Sequence, residues 1–265
     1  MMKIGVIPDA FQVPFKEAVI LARDLGAKGL QPYVTRGELA PENLTKDDRR
    51  AILKYVRDNG LVFSALCADF GLHFNEKGTN EEGIERTMRM MDLALDFDTR
   101  VITTHIGKVP EDESCEAYQN MVTTIERLGK YGDAIGVAFA TETGPEKAVP
   151  LKAILDKADT KSAKVNLDPA NFVMCSAQNP AEAVYILRDY IVHTHAKDGV
   201  MLDNEGHYQE LILGEGDVNY PEYLAALKDI GYDGFLTIER EAGATRFHDI
   251  RHAVNFLTAE LKKLY

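Results

Sequence analysis

The sequence predicts an α/β protein built as a single closed (β/α)8 barrel. Three observations predict it. Short apolar runs alternate with amphipathic stretches from end to end, the alternation repeats eight times, and 265 residues give about 33 per unit. Alternation of this kind implies a parallel sheet. About 250 residues is typical of a closed eight-fold barrel. A doubly wound open sheet would share the alternation, but Gly5-Val6-Ile7-Pro8-Asp9 lacks the glycines of a dinucleotide fingerprint after the first strand. No linker, low-complexity stretch or charge block divides the chain, so residues 1–265 read as one domain.

The elements follow in order. The first strand is expected over Lys3–Pro8, then a helix over Phe15–Leu25 with Ala18, Leu21, Ala22 and Leu25 on one face. A second strand over Gly29–Val34 precedes a helix over Thr45–Asn59. Thr45 and Asp48 stand at the capping-box distance, and Gly60 occupies the stop position. The third pair is Leu61–Cys67 and Glu81–Asp96, whose Met88 and Met91 read as core packing. The fourth is Arg100–His105 and Ser114–Tyr131, the fifth Gly136–Glu142 and Pro150–Ala158, the sixth Ala163–Asp168 and Pro180–Arg188. The seventh strand, Tyr190–His195, is followed by a long excursion, Lys197–Asn219, before a helix over Pro221–Ile230. Connections of this length in compact domains are lids, binding loops or disorder, and its place at a strand's C-terminal end favours a lid. Gly234–Glu239 and His248–Leu264 complete the eighth unit.

Composition narrows the function. Lys and Arg number 30 against 42 Asp and Glu, a formal charge of −12. A nucleic-acid-coating role wants a basic face, so the balance points to a small-molecule enzyme or a cation-holding site. The three cysteines, Cys67, Cys115 and Cys175, form no CxxC pair and no disulfide framework, as in a reduced cytoplasmic protein. No signal-peptide or membrane-spanning apolar run is present, so no membrane partner is expected.

Strand alternation gives the sharpest inference. Glu142 shares a face with Ala140, opposite the bulky Phe139 and Val137, so it points into the barrel mouth. Asp168 shares a face with Asn166, His195 with His193, and Glu239 with Thr237. Four consecutive strands therefore end in an inward acid or imidazole, at the mouth where barrel active sites sit. Two carboxylates 4 Å apart at an effective dielectric near 20 repel by about 4 kcal/mol. Protonation or a cation must relieve three of them. Three oxygen ligands and one imidazole suit a hard or borderline divalent ion, Mn2+ or Mg2+ ahead of Co2+ or Zn2+. Asn166, His193 and Thr237 lie one layer below, placed to orient the ligands.

Several motifs carry a family resemblance: Thr104-His105-Ile106-Gly107, Glu142-Thr143-Gly144-Pro145-Glu146, Asn166-Leu167-Asp168-Pro169-Ala170-Asn171, His193-Thr194-His195-Ala196-Lys197-Asp198, Gly214-Glu215-Gly216-Asp217-Val218 and Leu236-Thr237-Ile238-Glu239-Arg240-Glu241. Together they resemble the xylose isomerase-like TIM-barrel superfamily, and within it the sugar phosphate isomerase/epimerase group. The resemblance implies that Glu142, Asp168, His195 and Glu239 hold one divalent metal ion. It implies that Glu142 and Glu239 double as the acid/base pair, acting on a sugar, sugar phosphate or polyol through an enediolate, with phosphorylation of the substrate left open. It is compatible with a homo-oligomer.

Many ketose epimerases of this superfamily carry a His three residues after the sixth-strand Asp, where this sequence has Asn171. An amide there can still meet a substrate hydroxyl. His105 reads as a substrate-hydroxyl partner or an extra base. Lys197 reads equally as a hold on a substrate oxygen or carboxylate and as the partner of a neighbouring acid. Gly243-Ala244-Thr245-Arg246 could receive an anion at a helix N-terminus. A lyase or dehydratase on an oxo-sugar or inosose would use the same site. His73 and His105 are reminiscent of the nuclease branch, but Asn171 and the −12 charge count against it. A non-catalytic carbohydrate binder is the remaining alternative.

Overall fold

Each of the eight predicted strands contributes a stave to one parallel barrel wrapped by helices. The computed structural model describes residues 1–72, 74–75, 81–203 and 205–265. The first two staves are β1 (Lys3–Val6) and β2 (Gly29–Leu30). The third is β3 (Val62–Phe63) with β4 (Leu66–Cys67), followed by β5 (Val101–Thr104), β6 (Ala138–Glu142), β7 (Ala163–Leu167) and β8 (Ile191–Ala196). A two-stranded antiparallel hairpin, β9 (Asp198–Met201) and β10 (Tyr208–Leu211), precedes the last stave, β11 (Phe235–Ile238).

The order β3-β2-β1-β11-β8-β7-β6-β5-β4 closes through the third stave. That stave was expected as one strand, Leu61–Cys67, but it breaks at residues 64–65 because it changes partner there. Ser64 N donates to Leu30 O at 2.8 Å on one side, and Ala68 N to Thr103 O at 2.8 Å on the other.

The helices are α1 (Phe15–Leu25), α2 (Lys46–Asp58), α3 (Glu81–Asp96), α4 (Glu116–Ile135), α5 (Ala148–Lys157), α6 (Pro169–Cys175), α7 (Pro180–Leu187), α8 (Tyr220–Asp229) and α9 (Arg246–Leu264). The capping box of α2 forms as its sequence predicts: Asp48 N donates to Thr45 Oγ1 at 3.2 Å and Thr45 N to Asp48 Oδ2 at 2.9 Å. Helix α6 was not expected. Asp168 caps it, accepting from Ala170 N at 2.7 Å and Asn171 N at 3.3 Å, and Pro169 takes the first helical position.

Inward and outward faces follow the predicted alternation. Phe139 is buried on the helix side, its ring 5.8 Å from that of Phe74. Phe235 fills the barrel interior, and only glycine fits opposite it. A Cβ on Gly29 would stand 2.4 Å from the Phe235 ring.

The excursion 197–219, expected as a lid, carries the hairpin β9–β10, which is pinned at its base and lines the cleft at the barrel mouth. Buried Asp198 holds it: Oδ1 accepts from Gly199 N at 2.9 Å and Val218 N at 3.1 Å, and Oδ2 from Gly214 N at 2.9 Å and Gly216 N at 3.1 Å. The spacing Gly214-Glu215-Gly216 follows from this, since a Cβ on Gly216 would lie 2.2 Å from Asp198 Oδ1.

Candidate metal centre

The C-terminal ends of β6, β7, β8 and β11 bring Glu142, Asp168, His195 and Glu239 together. One donor atom from each lies within 4.8 Å of the others, and all four residues are buried. His195 Nδ1 sits in the middle, 3.3 Å from Glu142 Oε1, 3.3 Å from Glu239 Oε2 and 3.6 Å from Asp168 Oδ2. His195 Nδ1 and Asp168 Oδ2 are buried with no hydrogen-bond partner. Orphaned buried polar atoms are rare and costly, and here two of them face one point. Three carboxylate oxygens and one imidazole nitrogen fit a divalent cation at that point.

The surroundings prepare each donor. Gln31 Oε1 stands 3.0 Å from His195 Nε2 and accepts its proton, while Gln31 Nε2 donates to Thr103 Oγ1 at 2.8 Å. In the neutral imidazole this arrangement leaves the lone pair of His195 on Nδ1, toward the carboxylates. Asp168 divides its labour: Oδ1 caps α6 and Oδ2 faces the centre. Asn166 Nδ2 lies 3.4 Å from Glu142 Oε2 and 3.1 Å from His195 Nε2. Beneath it His193 Nδ1 donates to Asn166 Oδ1 at 2.9 Å, and His193 Nε2 accepts from Thr237 Oγ1 at 2.9 Å. Burial, reinforced by His195, keeps His193 well below the ordinary imidazole range, hence neutral.

Electrostatics show the same demand for positive charge. Burial opposes an imidazolium, yet Glu239 and Glu142 outweigh it and hold His195 well above the usual range. Burial would raise the Glu239 carboxyl, but His195 and Lys197 bring it well below normal.

The expected substrate residues gather beside this centre. His105 Nε2 is 3.5 Å from Glu142 Oε1, and its Nδ1 is 2.8 Å from Asp69 Oδ2. Glu142 chiefly, with Asp69, pushes His105 up to about 10 against its burial. Asn171 Nδ2 donates to Thr143 O at 2.8 Å and lies 3.4 Å from Glu142 Oε1, so the amide reaches the carboxylate. Lys197 forms the ion pairs that were one of its two expected roles, with Nζ 2.9 Å from Glu239 Oε2 and 2.5 Å from Glu241 Oε2. All three line an open cleft of about 850 Å3. His73, the other nuclease-like histidine, lies outside the described residues. His207 is exposed and bonded to Asp203.

Sequence reasoning missed Gln31 and Asp69. The signal was there: Gln31 continues the inward parity of Gly29, and Asp69 that of Cys67, each just past a stave.

Such a closed parallel barrel, with an acid–imidazole centre at its C-terminal mouth, defines a class of α/β barrel proteins. The family model described as xylose isomerase-like TIM barrel matches residues 19–260. The chain belongs to the xylose isomerase-like TIM-barrel family. A curated relative, an uncharacterized protein of Methanocaldococcus jannaschii, is 28% identical over 214 residues, covering 74% of each chain. The crystal structure of a xylose isomerase domain protein from Planctomyces limnophilus matches with TM-score 0.86 and 26% identity, over 99% of this chain and 97% of that one. The probable 3-DHS dehydratase AsbF of Bacillus anthracis shares the fold at TM-score 0.81 and 22% identity, over 97% and 99%. A D-tagatose 3-epimerase-like protein does so at TM-score 0.79 and 22% identity, over 100% of both chains. Among the described residues no helix is long and apolar enough to cross a membrane.

Proposed function

We propose that residues 1–265 act as one catalytic domain, a divalent-metal-dependent isomerase or epimerase. It moves a proton beside the carbonyl of a keto-sugar, free or phosphorylated, through an enediolate. The observation that carries this reading is the convergence of four donor atoms within 4.8 Å, two of them orphaned in the protein interior. Glu142, Asp168, His195 and Glu239 would hold the ion, with Mn2+ or Mg2+ favoured by the oxygen-rich set. A bound divalent ion supplies polarisation of the substrate carbonyl and offsets negative charge developing on its oxygen.

The remaining work falls to side chains. Glu142 and Glu239 enter from different staves, so a carbon held between them can lose a proton to one carboxylate and regain it from the other. Return to the other face of the same carbon is epimerisation; return to the neighbouring carbon is isomerisation. His105 and Asn171 lie beside Glu142 and orient substrate hydroxyls there. Lys197 lies beside Glu239 and steadies it as a carboxylate. The unpaired thiols of Cys67, Cys115 and Cys175 support a reducing, cytoplasmic setting.

The test is metal analysis joined to a solvent-deuterium screen over ketoses and ketose phosphates. The expected result is a stoichiometric divalent metal and metal-dependent incorporation of deuterium at carbon, abolished in Glu142→Gln and Glu239→Gln. A metal-loaded enzyme that exchanges no substrate proton anywhere in the panel would remove the proposal. Loss of water, seen as a mass decrease of the substrate, would move the activity to a dehydratase.

A further inference from the structure

The cleft beside the metal centre is walled by the hairpin β9–β10 and by the segment following β11. Besides His105, the cationic residues lining it among the described residues are Lys197 and Arg240. Neither is free. Lys197 lies between Glu239 and Glu241. Arg240 Nη1 donates to Glu210 Oε1 at 2.6 Å and to Leu211 O at 3.2 Å, and its Nε donates to Asp249 Oδ2 at 2.8 Å.

Glu210 is the informative residue. Besides Arg240, its carboxylate accepts from the backbone N–H of Glu241 at 3.2 Å and of Ala242 at 3.2 Å. A guanidinium with two successive backbone N–H groups, after a late barrel strand, is a donor set suited to phosphate. The chain fills it with its own carboxylate, and that side chain is only 7% exposed. Near the start of α9, Asp249 Oδ1 accepts from Thr245 Oγ1 at 3.0 Å while Oδ2 receives Arg240, so a carboxylate of the protein stands beside the stretch 243–246 that was expected as an anion site.

The charge balance agrees. Glu142, Asp168, Glu239, Glu210, Glu215 and Glu241 surround the centre and cleft against Lys197 and Arg240, with His105 paired to Asp69. Even a bound divalent ion leaves carboxylates in excess by two. A phosphate dianion or a substrate carboxylate would enter a negative field in which each cation lining the cleft, among the described residues, is already paired. Hydroxyl groups, which both donate and accept, suit a cleft lined by carboxylates and bound amides.

We infer that the substrate is an uncharged polyhydroxylated carbonyl compound rather than a phosphate ester or an acid, and that Glu210 enforces this choice. The inference rests on the reading of the centre as a proton-transfer site. Its test pairs ketoses with their phosphate esters in the metal-loaded enzyme, scored by deuterium incorporation. The uncharged member of each pair is expected to show at least a ten-fold higher kcat/KM. Inorganic phosphate, titrated calorimetrically without substrate, is expected not to bind the wild type at millimolar concentration. Glu210→Ala opens the cradle, and Glu210→Gln keeps its shape while removing the charge. Both are expected to gain phosphate binding and to narrow the preference at least ten-fold.

Preference of the wild type for phosphate esters, or phosphate binding by the wild type, overturns the inference. Failure of both folded Glu210 variants to gain phosphate removes Glu210 from it. The wild-type measurements need no variant to fold. If no member of any pair exchanges deuterium, the proposed reaction fails while the phosphate titration still decides the charge question.

Discussion

Gln31 and His195 are 164 positions apart in the chain, yet Gln31 Oε1 lies 3.0 Å from His195 Nε2. The contact fixes which imidazole nitrogen faces the carboxylates. A residue just past the second stave thus orients the imidazole of the seventh. Replacing Gln31 by Leu should leave the barrel folded and weaken metal binding by about 10–100-fold, the range usual for partners of ligating histidines. Competition with a chelator of known affinity measures it; unchanged affinity would deny Gln31 this role.

Metal should also stabilise the fold. An ion that binds only the native state at 100 times its dissociation constant adds about 2.7 kcal/mol. For a chain of this size that raises Tm by roughly 5–10 °C. Thermal melts with Mn2+ or Mg2+ against EDTA should show the gap in the wild type, and His195→Ala should close it.

Glu142→Gln and Glu239→Gln retain shape and lose basicity. Each should lower kcat by about 10²–10⁴-fold, the usual contribution of a positioned acid or base. If only one variant loses deuterium incorporation, one carboxylate carries the proton both ways, which favours isomerisation over epimerisation.

Glu146, four residues beyond Glu142, is buried, and burial, only partly offset by nearby backbone N–H groups, pushes it up to about 6 from 4.5. A carboxyl raised in the folded state contributes stability that is full below the unfolded value and is lost as pH rises through the folded one. The wild type should therefore lose roughly 2 kcal/mol on this account between about pH 4.5 and pH 6 and above. Glu146→Gln should flatten that stretch of the stability–pH curve. Parallel curves for the two proteins, from denaturant melts at pH 4.5, 6 and 8, would contradict the assignment.

Removing the Asp198 carboxylate strips the partner from four backbone N–H groups at once. Each buried donor left unpaired costs about 1–3 kcal/mol, so Asp198→Ala should destabilise by at least about 3 kcal/mol. Hydrogen exchange should accelerate over residues 214–218 before the barrel staves respond.

The eight staves and the inward parity of Glu142, Asp168, His195 and Glu239 were legible because periodicity is written into every strand. Shorter features were not. The strand Tyr208–Leu211 has no apolar face to mark it, and its Glu210 is instead bonded to Arg240. Helix Pro169–Cys175 is seven residues long, too short for a periodic pattern, although Asp168-Pro169 is a sound cap signal. The two roles open for Lys197 could be separated only in space, where Glu239 and Glu241 flank it. Nothing local marks Glu146 as buried; long-range packing decides that.

Asp168 starts a helix with one oxygen and faces the acid–imidazole cluster with the other. Loss of this side chain would take away a helix cap and one wall of the cluster together, a double burden that Glu239, which caps no helix, does not carry. An engineer wanting a silent but sturdy version of this protein should leave Asp168 alone.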